Sequence, residues 1–148
     1  PTNATAISRA KVTAPAVITE TTATEIAALI KDAKLPVTLN DVWSSEDGIN
    51  WVKEIASAPW HERLWFNSVV YRNRIWVMGG WSNNPYKNHQ DVWFTKDGKT
   101  WEEYKSDKVW KERHEASTFV FKDKIWIAGG MNPPLVNDVW SLRLPEDW

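Results

Sequence analysis

Residues 41–80 and 91–130 repeat one another at an interval of 50 residues, and no other feature limits the fold as strongly. Aligned without a gap, 14 of 40 positions are identical, among them DVW at the start, DG near the middle and IWxxGG at the end. A third DVW begins at Asp138. Repetition at such a period marks supersecondary units that stack, because each has an apolar face it cannot bury alone. Twelve tryptophans, most at matched positions, furnish those faces.

Alternating apolar residues and turn punctuation predict strands within the repeat. In the second copy they fall at residues 91–95, 100–105, 115–121 and 124–128. Asp97-Gly98 forms the first turn, since glycine accepts a positive φ without steric cost. Gly129-Gly130 ends the last strand, where a backbone without side chains can approach its neighbours closely. Four short antiparallel strands per period make a propeller blade. Residues 41–56 then supply two outer strands, 63–105 a full blade and 113–144 three strands.

Together these motifs resemble the kelch-type β-propeller repeat. The doublets Gly79-Gly80 and Gly129-Gly130, the openings at Arg63 and Arg113, and the pattern DVWxxxDGxxW carry the resemblance over about residues 40–144. The third strand departs from it, with Trp where many kelch repeats have Tyr-Asp. Residues 45–51 also resemble an Asp-box turn of sialidase-like propellers, shortened by one residue. The resemblance implies an all-β fold of kelch-like blades, of which two to three are visible. A propeller closes with about 4 to 8 blades. The remaining blades would come from a longer chain or from copies of this one.

Residues 1–39 differ, being rich in Thr and Ala and free of Trp, and form an N-terminal segment ahead of the blades at 40–148. Thr22 to Glu25 has the spacing of a capping box and predicts a short helix over residues 26–31, which Pro36 bars from continuing. Residues 9–18 read either as a degenerate first strand or as linker. Asn3-Ala4-Thr5 matches a glycosylation acceptor. The chain opens on Pro1 without a visible signal peptide, so either an upstream part was removed or this is one piece of a longer polypeptide.

Composition narrows the functions. A net charge of −1 with no Lys/Arg cluster argues against nucleic acid as a partner. No run of 18 apolar residues predicts a membrane span. With no cysteine there is no thiolate nucleophile or Cys-based zinc site, nor the Cys–Tyr cross-link of a galactose-oxidase-type propeller. No metal-ligand spacing, phosphate loop or nucleophile elbow is present, so neither metal nor cofactor is expected. The tryptophan-heavy blades resemble secreted bacterial propellers, which implies an extracytoplasmic setting.

Alternate loops of a meander share one face, and binding residues concentrate on such loops. That face carries residues 57–62, 81–90, 106–112 and 131–137. Tryptophans that recur are read as packing: Trp43, Trp93 and Trp140; Trp51 and Trp101; Trp60 and Trp110; Trp76 and Trp126. Trp81 and Tyr86 do not recur, and with Asn83, Asn84 and Asn88 they are the candidate ligand contacts. Arg63 and Arg113 read either as ligand contacts at a central pocket or as structural forks, with Glu62 and Glu112 as possible partners. His61, His89 and His114 are expected to be solvated. The residues point to a binding or scaffold module for a glycan or protein ligand. The alternative is part of a secreted carbohydrate-active enzyme whose acidic residues lie on other blades.

Overall fold

The computed structural model describes residues 40–148, an all-β arrangement without a helix among those residues. The capping box, the helix at 26–31, residues 9–18 and the Asn3 acceptor lie outside the described residues. Strands β1 (Val42–Ser44) and β2 (Val52–Ile55) form a first, two-stranded sheet. Next come β3 (Asn67–Tyr71), β4 (Arg74–Met78), the small hairpin of β5 (Trp81–Asn83) and β6 (Tyr86–Asn88), then β7 (Val92–Thr95) and β8 (Glu102–Glu103). The second sheet runs β3-β4-β7-β8, and every neighbouring pair is antiparallel. In the third, β10 (Ile125–Ala128) lies between β9 (Ser117–Val120) and β11 (Val139–Leu142).

The repeated turns share one design. Asp97 Oδ1 accepts the backbone N–H groups of Lys99 and Thr100, both at 2.8 Å, and Trp101 Nε1 donates to Gly98 O at 3.2 Å. Asp47 accepts from Ile49 and Asn50 in the same way, and Trp51 Nε1 reaches Gly48 O at 3.3 Å. The N–H groups of Thr100 and Lys99 stabilise the Asp97 carboxylate and pull its pKa down to about 2.

A clasp explains the DVW motif. Arg63 Nη1 and Nη2 donate to the two oxygens of Asp91 at 2.5 and 2.8 Å, and Nη1 also reaches Gly79 O at 2.9 Å. Trp93 Nε1, two residues along the strand and therefore on the same side, donates to Asp91 Oδ2 at 2.7 Å. Arg113, Asp138, Gly129 O and Trp140 repeat every one of these bonds. The arginine partners are thus the DVW aspartates rather than Glu62 and Glu112.

Successive strand residues face opposite sides, so β4 serves two cores. Trp76 and Met78, with Val92 and Phe94, pack on Ala116, just ahead of β9, and on Ile125 and Ile127 of β10. Val77 faces the other way, into a core with Val42, Ala58 and Trp60. Trp60 meets Trp101 edge-on at 4.5 Å. Backbone bonds stitch the second and third sheets: Gly80 N donates to Arg113 O at 2.9 Å, and Arg113 N to His89 O at 3.1 Å. The recurring tryptophans are not equally covered. Trp76 is wholly buried, whereas Trp51 is 50% exposed and Trp140 is also exposed, because no further sheet covers the outer units among the described residues.

Candidate functional site

Residues 81–90 are not an open loop. Trp81, Ser82 and Asn83 pair with Asn88, Lys87 and Tyr86, closing a hairpin at the Asn84–Pro85 turn. Leu64 and Trp81 exchange backbone hydrogen bonds at 2.7 and 2.8 Å, which fixes the hairpin to the start of the second sheet. Its interior is polar and closed. Ser82 Oγ donates to Pro85 O at 2.7 Å, so His89 Nε2–H is the donor in the 3.0 Å contact with Ser82 Oγ.

The hairpin sets a row of rings along the junction of the second and third sheets. Tyr86 stands edge-on to Trp81 at 5.6 Å, Trp81 lies 5.5 Å from His114, and His114 stacks on Trp65 at 5.2 Å. Tyr86 is 79% exposed and Trp65 53%, while Trp81 is half-buried. His114 is held in place by donating Nδ1–H to Asn88 Oδ1 at 2.6 Å. Next to the row opens a cleft of about 710 Å³, walled by Trp81, Tyr86, Lys87 and Gln90 on one side of the junction and by Glu112 and Asn132 from the next repeat.

Of the residues expected from the sequence, Trp81, Tyr86 and Asn88 line this cleft. Asn83 and Asn84 are exposed near the hairpin turn instead, and Asn83 Oδ1 accepts from Trp81 Nε1 at 3.1 Å. Arg63 and Arg113 are 2% and 0% exposed, with their forks engaged in the clasps, so their placement is that of structural groups. His89 and His114 were expected in solvent but are buried, each at 7% exposure. Burial, and secondly the charge of Arg63, push the His89 pKa down to about 4. Asp91, which also lines the cleft, is held below the ordinary carboxylate range, because the Arg63 and Trp93 bonds outweigh the opposing effect of burial.

Sequence reasoning did not single out Trp65, Lys87, Gln90 or Asn132, and did not place Glu112 at a ligand cleft. Trp65 carried a usable signal: its counterpart in the repeat is Glu115, so it passes the same non-recurrence filter as Trp81. By sequence Glu112 reads as a possible partner of Arg113, a role that Asp138 fills instead. Among the described residues no cluster of His, Asp or Glu has the geometry to hold a metal ion. No protein-family model and no curated protein sequence matches the chain.

Proposed function

We propose that the protein is a carbohydrate-binding module built from consecutive blades of a kelch-type β-propeller. Sheets of two, four and three strands, stacked through matching faces and closed by one repeated Asp–Arg–Trp clasp, support the propeller reading. The ligand class rests on the row Tyr86–Trp81–His114–Trp65 beside an open polar cleft. Indole and phenol faces accept the apolar face of a sugar ring. Lys87, Gln90, Glu112 and Asn132 offer donors and acceptors for its hydroxyls. A site of a few polar groups around aromatic walls is the usual form of a small-ligand pocket.

The test is a glycan-array screen followed by calorimetric titration of any hit. Tyr86→Ala and Trp65→Ala should each weaken binding about tenfold, roughly 1.4 kcal/mol, because both rings are exposed. Their melting temperatures should stay within about 2 °C of the parent, as for surface substitutions. Trp81→Ala should abolish binding. Parental affinity in the first two variants would remove the row from the site. If no glycan binds, the same face is left to a protein ligand.

A further inference from the structure

The segments leading into β1 and β11 are the same tetrapeptide, DVWS, at residues 41–44 and 138–141. Each builds the same half of a clasp: Trp43 Nε1 donates to Asp41 Oδ2 at 2.8 Å, and Trp140 Nε1 to Asp138 Oδ2 at 2.6 Å. Among the described residues their sheets are incomplete in opposite ways. β11 has the inner strands β9 and β10 but no outer strand, whereas β7 of the second sheet has β8. β1 has the outer strand β2 but no inner strand, whereas β7 has β4. Each sheet holds the part that the other lacks.

The two surfaces also match in shape and charge. Tyr71, Trp76 and Val92 of the second sheet share a core with Ile125 and Ile127 of the third. Their counterparts in the third sheet are Phe121, Trp126 and Val139, and Phe121 and Val139 are 55% and 62% exposed. The counterparts of Ile125 and Ile127 are Ile75 and Val77, which line a groove of about 410 Å³ beside the unpaired edge of β1. Phe66 and Val70 line it as well and are 42% and 58% exposed. The Asp41 side chain, only 7% exposed, has Lys53 at 3.6 Å as its cation among the described residues. Asp91 and Asp138 each receive a forked arginine instead.

We propose that a second copy of this chain fills the groove. β9 and β10 of one copy release β11 and pair with β1 of the other, so that Arg113 clasps the partner's Asp41 in place of Asp138. The product is a four-stranded sheet β9-β10-β1-β2 on the plan of β3-β4-β7-β8. Exchange of an identical element between copies is a low-cost route to dimers. Here the bonds given up by one DVWS are remade by the other, while an outer strand and a buried groove are gained. β1 and β2 keep their place against their own second sheet. Reciprocal exchange gives two copies four complete sheets, about the smallest number that closes a propeller. That closure rests on the propeller reading proposed above.

The chain has no cysteine, so engineered pairs report the pairing cleanly. Gly129 N donates to Asp138 O at 3.0 Å, so Ala128 and Val139, one step along, form the closer kind of cross-strand pair that a disulfide can bridge. Val42 is the DVWS counterpart of Val139. At concentrations where light scattering gives the mass of two chains, Ala128→Cys with Val42→Cys should cross-link two chains on mild oxidation. Ala128→Cys with Val139→Cys should not close within one. Asp41→Ala should raise the dissociation constant at least about tenfold, as for one partner of a buried charge pair, and Asp138→Ala should not raise it. The cysteine pairs decide the matter if Asp41→Ala does not fold. The mass of one chain at every concentration overturns the proposal and leaves the groove to a segment of the same chain or to another protein. An intrachain bond between positions 128 and 139 in the dimer overturns it too, as do equal effects of Asp41→Ala and Asp138→Ala. A cross-linked ladder beyond two chains supports the exchange but counts against the propeller reading, so the two failures are separable.

Discussion

Trp76 and Trp126 hold the same repeat position in different surroundings. Each Nε1 donates to the backbone carbonyl five residues earlier, Tyr71 O at 3.1 Å and Phe121 O at 2.9 Å. Trp76 is then sealed by Phe94 at 5.1 Å and Tyr104 at 5.8 Å, while the cross-strand neighbour of Trp126, Phe119, is itself 47% exposed. Trp76→Ala should therefore cost about 3–5 kcal/mol through the cavity it leaves. Trp126→Ala should cost about 1–2 kcal/mol, in proportion to the smaller area it covers. Denaturant titrations of the two variants check this, and equal losses would contradict the burial difference. Recurrence alone marks both rings as packing, but depth of burial depends on what stands beyond each sheet, which residue type does not encode. The arginine partners illustrate a similar limit. Glu62 and Glu112 adjoin the arginines in sequence, yet a fork at the start of one strand meets the carboxylate opening another.

At the scale of elements, the glycine doublet decides how closely two sheets approach. Gly79 has φ +62°, and a Cβ built there would lie 2.6 Å from Arg113 O, backbone of the next repeat. Gly79→Ala should destabilise by about 2–4 kcal/mol, the sum of a left-handed conformation and an overpacked contact. A thermal melt matching the parent would show that the junction can open to admit a methyl group. Strand positions were legible because alternation and turn chemistry are local: Asp97-Gly98 and IWxxGG each fix a turn or strand end from within a few residues. The hairpin at 81–90 was not, since its strands are three residues long, polar and unrepeated. The wall of the cleft formed by Glu112 and Asn132 was also hidden, because contact between neighbouring units leaves no fixed spacing in the chain.

For the whole molecule, acid should act in two stages. Between about pH 6.5 and 4 an unfolded chain protonates His89 while the folded one does not, so stability is full above pH 6.5 and falls through this window. Asp138 follows: its bonds from Arg113 and Trp140 hold the pKa at about 2 against an ordinary 3.8, so its contribution is lost as pH drops from about 4 to 2. Melting temperature recorded from pH 8 to 2 should decline in both windows. His89→Gln should flatten the upper limb and leave the lower one; an unchanged upper limb would exclude His89 as its source. The ring row has a consequence for how such a surface changes over time. Trp65, Trp81 and Tyr86 come from one unit, His114, Glu112 and Asn132 from its successor. Under the proposed function, recognition would be a property of adjacency: shuffling a single unit would rewrite half of each neighbouring groove and keep the other half, so a small stock of units could yield many pairings.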